Sequence, residues 1–136
     1  MIDRDVAEAV ILDHDARPRN YGELPGATHA ALGYNPLCGD KYTVSVRLAS
    51  ERLEAVRFHG FGCALSKSSA SVMTEILEGL TRHAALEVTR ILRDGLAHGT
   101  TVPEELAHLL LAGEHPARRR CALLAWEALE EALGKD

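Results

Sequence analysis

The stretch that decides the fold covers residues 35–74 and reads NPLCGDKYTVSVRLASERLEAVRFHGFGCALSKSSASVMT. In its middle, apolar and polar residues alternate over residues 41–48 and again over 53–59, which predicts two antiparallel strands joined by a turn. A cysteine next to a glycine stands beyond each outer end of this hairpin, namely Cys38 and Cys63. Because antiparallel neighbours place the start of one strand beside the end of the next, both thiols are expected at one end of the sheet.

The flanking residues extend this pattern in both directions. Residues 28–34 predict a third strand on which Thr28, Ala30, Leu32 and Tyr34 share one face. Beyond residue 64 the apolar spacing becomes helical. Helices are expected over 3–16, 64–79, 84–96, 103–111 and 116–133. Since the strands come early and most helices late, the predicted class is α+β, a small antiparallel three-stranded sheet with helices packed on one face.

Length and composition limit the kind of protein this can be. A chain of 136 residues that is 46% apolar and 26% charged predicts one globular domain over residues 1–136. A net charge of −5 argues against nucleic acid as the main partner. No apolar run reaches membrane-spanning length, and the charged N-terminus lacks a secretory core, so we expect no membrane partner and a cytoplasmic location. Three cysteines also exclude a complete disulfide framework.

The thiols and one carboxylate predict a metal site. Cys121 lies at the edge of the apolar stripe of the last helix, where we expect it to be half accessible. Three thiols and one carboxylate form a reasonable tetrahedral set for Zn²⁺, although the Cys-x-x-Cys pair of zinc fingers is missing. Asp40 precedes the long strand, and Cys63 follows its hairpin partner. We therefore predict that Cys38, Asp40, Cys63 and Cys121 converge on one metal.

Each of these residues also has a purely structural interpretation. A single cysteine is commonly a small buried hydrophobe. Asp40 follows a glycine and fits a turn. The basic run at residues 118–120 is typical of a solvated face, or it offsets the negative charge of a thiolate site next to Cys121. The residues alone leave these alternatives open.

Three motifs, in this order along the chain, resemble the IscU/SufU family of iron–sulfur cluster assembly proteins, whose domain is also the N-terminal domain of NifU. The matching segments are Asn35–Asp40, Gly62–Ser66 with Ala70–Thr74, and Arg120–Trp126. The likeness extends over nearly the whole chain. It implies that the family's metal and sulfur ligands are Cys38, Asp40, Cys63 and Cys121.

Departures from the IscU pattern favour the SufU branch. Arg120 stands where IscU-type scaffolds have a histidine, and the chaperone-binding motif Leu-Pro-Pro-Val-Lys is missing upstream of it. The segment between Cys63 and Cys121 is longer, with a helical insertion around Thr81 to Thr101. Arg118 matches an arginine that belongs to the functional set of SufU-like proteins.

Resemblance to SufU implies a zinc-dependent sulfurtransferase activity. Such a protein accepts persulfide sulfur from a pyridoxal-phosphate cysteine desulfurase and serves downstream iron–sulfur assembly proteins. Cys38, on its glycine-flanked loop, is the implied attacking thiol. Two alternatives stay open: a scaffold that assembles a 2Fe–2S cluster on the same ligands, and a non-enzymatic module with a structural zinc.

Overall fold

The computed structural model describes residues 3–135 and confirms the predicted α+β class. Its elements are α1 (Arg4–Ala16), β1 (His29–Asn35), β2 (Asp40–Ala49), β3 (Arg52–Phe61), α2 (Ala64–Leu77), α3 (Arg82–His98), a 3₁₀ helix (Glu104–Glu114) and α4 (Pro116–Leu133). The three strands form one antiparallel sheet in the order β1-β2-β3. The segment predicted as a helix over 103–111 forms a 3₁₀ helix, which extends three residues further, to Glu114.

The core lies between one face of the sheet and the helices. Tyr42, Val44 and Val46 of β2 are fully buried on this face, as are Val56 and Phe58 of β3. Helix α4 packs across β1 and β2, and α2 packs against β3. The alternating residues of the hairpin therefore point to two different faces of the sheet. One face is buried under the helices, and within the described chain no helix covers the other.

Strand β1 turns its larger side chains away from the core. Leu32 and Tyr34 are exposed, whereas Ala31 and Gly33 face α4. A Cβ atom on Gly33 would lie 3.1 Å from the backbone oxygen of Leu124. The small residues of β1 therefore allow α4 to approach this strand closely. The face that Leu32 and Tyr34 share is the solvent face of the strand.

Residues 81–101, where the sequence led us to expect a helical insertion, contain α3. Its buried residues include Leu92 and Leu96, and it packs against α4 and the 3₁₀ helix. An ion pair between Arg93 and Glu130, 2.8 Å long, joins α3 to α4 at the surface. This segment therefore forms part of the helical layer. No helix within residues 3–135 combines the length and apolarity needed to cross a bilayer.

Candidate metal centre

The loop that joins β1 to β2 presents Cys38 to solvent. The backbone oxygen of Asn35 accepts hydrogen bonds from the backbone N–H groups of Cys38 (3.3 Å) and Gly39 (2.7 Å). The Asn35 side-chain oxygen accepts a third, from the N–H of Leu37 (3.1 Å). Gly39 has φ +77°, the left-handed region that glycine enters without strain. This tight turn leaves the Cys38 side chain exposed, directly before Asp40 begins β2.

Cys63 caps the N-terminus of α2 and contacts Asp40. Its sulfur accepts a hydrogen bond from the backbone N–H of Ser66 at 3.4 Å. Its own N–H donates to Asp40 Oδ1 at 3.3 Å, and its sulfur lies 3.7 Å from Asp40 Oδ2. The positive end of the helix dipole favours negative charge at this position. The local fold therefore brings the Cys63 sulfur and the Asp40 carboxyl together at the start of α2.

Gly62 is what allows α2 to begin so close to Asp40. A Cβ atom at this position would lie 2.5 Å from Ser66 Oγ, 2.7 Å from the Tyr42 hydroxyl and 3.0 Å from Asp40 Cγ. All three distances are shorter than van der Waals contact. A larger residue would force the end of β3 away from the carboxylate.

Gly62→Ala is expected to weaken metal binding by about tenfold or more while leaving the fold intact. The added methyl group displaces the groups that orient Cys63 and Asp40, and such outer contacts are worth about 10–100-fold in metal affinity. Chelator competition measures the affinity. Gly134→Ala is the matched control, since a Cβ there has only ordinary contacts at 3.5 Å. Equal affinities for the two variants would contradict the prediction.

Cys121 is buried, so the expectation that it would be half accessible is wrong. It lies in the second turn of α4 with 7% of its surface exposed, and its sulfur is 3.9 Å from the sulfur of Cys38. A helical wheel places Cys121 relative to α4 alone, whereas the Cys38 loop and Cys63 cover that edge. Burial raises the pKa of the Cys121 thiol, and the charges of Cys63 and Asp40 raise it further.

Three of the four predicted ligands form one group. One ligand atom each from Asp40, Cys63 and Cys121 lies within 4.8 Å of the other two. Cys38 lies outside this group but contacts Cys121. Bonds of about 2.0–2.3 Å to a tetrahedral ion place its ligands about 3.3–3.8 Å apart. The 3.7 Å sulfur–oxygen and 3.9 Å sulfur–sulfur separations come close to that spacing, so this donor set fits zinc.

Arg118 lines a cavity that opens beside the thiols. The cavity measures about 480 Å³, and its wall includes Cys63 and Cys121 together with apolar residues of α1 and the 3₁₀ helix. Arg120 lines a separate cavity, next to Asn35. Arg118 therefore lines the same cavity as Cys63 and Cys121.

Two residues next to the site were not identified from the sequence. The Tyr42 hydroxyl lies 3.3 Å from Ser66 Oγ, and Ser66 Oγ lies 3.6 Å from the Cys63 sulfur. Burial raises the pKa of Tyr42 to about 12, so its phenol stays protonated at neutral pH. Ser66 carries no recognised capping signal, because the capping box has Ser or Thr at the cap and Glu or Gln three residues later, not Cys63 and Ser66. Tyr42 carries no such signal because its pattern is that of a core strand residue.

The fold and the site together define a small α+β protein with a cysteine-rich candidate metal centre at one end of its sheet. Comparison with known proteins agrees with this class. The chain belongs to the family of NifU-like N-terminal domains, whose family model matches residues 6–135. The resemblance seen in the three sequence motifs is thereby confirmed.

Relatives carry two different functional names. The chain is 37% identical over 133 residues to the iron–sulfur cluster assembly scaffold protein IscU of Streptococcus pyogenes, which covers 94% of this chain and 82% of that protein. It is 34% identical over 131 residues to the zinc-dependent sulfurtransferase SufU of Bacillus subtilis, covering 93% and 88%. A candidate iron–sulfur cluster assembly scaffold of the SUF system from Fervidobacterium islandicum superposes with a TM-score of 0.84 at 29% identity, covering 91% and 93%.

Proposed function

We propose that this chain is a cytoplasmic, single-domain iron–sulfur cluster assembly protein that accepts sulfur from a cysteine desulfurase. The proposed ligands of a resident zinc are Cys38, Asp40, Cys63 and Cys121. The observation that carries the proposal is the exposed Cys38 thiol beside a compact group of three further donors. The similarity to a zinc-dependent sulfurtransferase supports the same assignment.

The proposed reaction moves one sulfur atom without net oxidation. The Cys38 thiolate attacks the outer sulfur of a persulfide on the partner's cysteine. A bond forms between Cys38 Sγ and that outer sulfur, while the partner's S–S bond breaks and its electron pair leaves with the partner's cysteine as a thiolate. Cys38 now carries the persulfide, which a downstream iron–sulfur assembly protein accepts by the same chemistry. Cys38 suits this step because its loop exposes the thiol.

The surrounding residues have distinct parts in this step. Bound zinc would keep its thiol ligands deprotonated at neutral pH. Asp40 and the N-terminus of α2 orient the Cys63 sulfur. Arg118, in the cavity that Cys63 and Cys121 also line, offers a guanidinium group to an anionic persulfide. Its role is to bind and orient the incoming sulfur.

A cluster scaffold is the second candidate function. Thiolates also bind iron–sulfur clusters, and the streptococcal relative is named a scaffold. The two candidates use the same four residues, so they differ in what is bound and what is transferred. To distinguish the two functions, both the bound species and the transferred species must be measured.

In the deciding experiment, zinc-loaded protein is incubated with a cysteine desulfurase and its substrate cysteine, which carries a sulfur label. We expect one labelled sulfur per chain, found on Cys38 by peptide mass spectrometry, and a faster desulfurase. In parallel, metal-depleted protein receives iron, sulfide and reductant without air. If a stoichiometric, transferable cluster formed and zinc-loaded protein did not stimulate the desulfurase, the chain would be a cluster scaffold and not a sulfur acceptor.

Asp40→Cys is expected to hold zinc more tightly and to accept sulfur more slowly. Asp40 is the one hard oxygen donor in a set of soft thiols, so it is the donor expected to release zinc most readily. Chelator competition gives the zinc affinity, and labelled-sulfur uptake gives the rate. If uptake stayed at the wild-type rate while zinc bound more tightly, release of Asp40 would have no part in the reaction.

A further inference from the structure

A buried chain of hydroxyl groups leads from the core of the sheet to the Cys63 sulfur. Tyr42 of β2 is 0% exposed, and Ser66 of α2 is 1% exposed. The Tyr42 hydroxyl lies 3.3 Å from Ser66 Oγ, which in turn lies 3.6 Å from the Cys63 sulfur. Asp40 stands two residues before Tyr42 on the same buried face of β2. Ser66 therefore connects a core tyrosine to one of the proposed metal ligands.

The hydroxyl of Tyr42 is not needed to fill the core. The Tyr42 ring packs edge-on against Phe58, with 5.7 Å between the ring centroids, and a phenylalanine would make the same contact. A buried hydroxyl, by contrast, requires a hydrogen-bond partner. Within residues 3–135 the Tyr42 hydroxyl has one such partner, Ser66 Oγ. What the hydroxyl adds to the structure is therefore its contact with Ser66.

The Ser66 hydroxyl has two possible acceptors for its one proton. Its oxygen lies 3.1 Å from the Cys63 carbonyl oxygen, to which it donates that proton. The Tyr42 O–H and the Cys63 S–H are then the donors to its two lone pairs. The same carbonyl also accepts the backbone N–H of Lys67 at 3.0 Å. The carbonyl therefore keeps a partner when the Ser66 proton turns toward the Cys63 sulfur.

Metal binding changes the hydrogen bonds that the Cys63 sulfur can make. A metal-bound cysteine is a thiolate, so it has no S–H to donate and can only accept. The backbone N–H of Ser66 already donates to this sulfur at 3.4 Å. The Ser66 hydroxyl, 3.6 Å away, is in reach as a second donor. While it donates to the sulfur, its oxygen still accepts the Tyr42 O–H, so all three groups stay paired.

We propose that Tyr42 is a positioning residue of the metal centre, which acts through Ser66 on the Cys63 sulfur. By donating to Ser66 Oγ, Tyr42 fixes the Ser66 hydroxyl and strengthens its hydrogen bond to the sulfur. Outer hydrogen bonds of this kind orient a ligand and set how much negative charge it presents to a metal. The inference rests on the proposed function only in taking Cys63 as a metal ligand.

Zinc affinity, measured by chelator competition, tests the order of this chain. We expect Tyr42→Phe to weaken zinc binding by about tenfold and Ser66→Ala by about 10–100-fold. Because Tyr42 acts through Ser66, adding Tyr42→Phe to Ser66→Ala should cause no further loss. Ser68→Ala is the matched control, since Ser68 is also fully buried in α2 and donates to the carbonyl oxygen three residues earlier, that of Leu65, at 3.1 Å. It should bind zinc as the wild type does.

Cobalt bound in place of zinc provides a readout that a loss of packing would leave unchanged. The energy of the sulfur-to-cobalt charge-transfer band reports the charge on the thiolates. Loss of a donor to the Cys63 sulfur raises the energy of its lone pairs, so the band should move to longer wavelength in Ser66→Ala. Tyr42→Phe should move it in the same direction by a smaller step, and Ser68→Ala should leave it in place.

The wild type decides the matter even if a variant fails to fold. Its Tyr42 ¹³Cζ resonance should move when zinc binds, because the Ser66 proton turns from the Cys63 carbonyl to the sulfur. An unmoved resonance in zinc-bound protein would overturn the proposal. Wild-type affinity in Tyr42→Phe, an additive loss in the double variant or an unshifted band in Ser66→Ala would do the same. Wild-type protein that binds neither zinc nor cobalt would instead refute the proposed metal site, and the positioning role with it.

Discussion

Cys38→Ser is expected to reduce sulfur uptake from a cysteine desulfurase to the level seen without the protein. A serine hydroxyl is a far weaker nucleophile than a thiolate at neutral pH, and no other residue of the loop can replace it. The fold should persist because Cys38 is exposed and contributes nothing to the core. The measurement is transfer of labelled sulfur, with circular dichroism as the test of folding.

Cys63→Ser provides the comparison for this result. It keeps the Cys38 thiol but removes the sulfur that caps α2 and contacts Asp40. We expect it to lose more metal than Cys38→Ser, because Cys63 belongs to the compact group of three donors. If Cys38→Ser still accepted sulfur and Cys63→Ser did not, the acceptor would be Cys63 and the proposed role of the loop would be wrong.

Cys121→Ser is expected to cause the largest loss of metal and of thermal stability. Cys121 is the only buried thiol among the described residues, and its sulfur lies close to donors at the start of β2 and just after β3. A ligand present at about a thousand times its dissociation constant stabilises the folded state by about 4 kcal/mol. For a chain of this size, that corresponds to a decrease in melting temperature of roughly 10–20 °C.

A chelator separates the contribution of the metal from that of packing. Without metal, the wild type and Cys121→Ser should melt within a few degrees of each other, because the substitution alters little volume. With zinc, only the wild type should gain stability. An equally large difference between the two proteins in the presence of chelator would show that Cys121 acts through packing, as an ordinary buried cysteine does.

The positions of Asp40 and Cys63 could be predicted because the alternation of apolar and polar residues indicates which strands pair. Alternation over residues 41–48 and 53–59 sets which residues face the core, and the observed register pairs Asn35 with Asp40 and Lys41 with Phe61. Residues that flank paired strand ends must lie close together. For this reason the sequence alone predicts Asp40 and Cys63 at one end of the sheet.

Features that depend on packing between distant elements could not be predicted. The burial of Cys121 depends on how the Cys38 loop lies over α4, and a single helix carries no information about its neighbours. The exposed face of Leu32 and Tyr34 follows from the close approach of α4 to Gly33 on the opposite side of β1. His14 and His108 line one cavity because α1 and the 3₁₀ helix pack together, which the pattern of either helix alone does not predict.

The distance along the chain between the donors has a consequence for how the protein reaches its native state. Asp40 and Cys63 are 23 residues apart, whereas Cys38 and Cys121 are 83 residues apart. Contacts between such remote positions are costly to form early, so the thiols are expected to meet late in folding. Until then each thiol is open to oxygen and peroxide. Refolding in air should therefore trap oxidised chains, and a reductant should matter more for recovering native protein than the metal does.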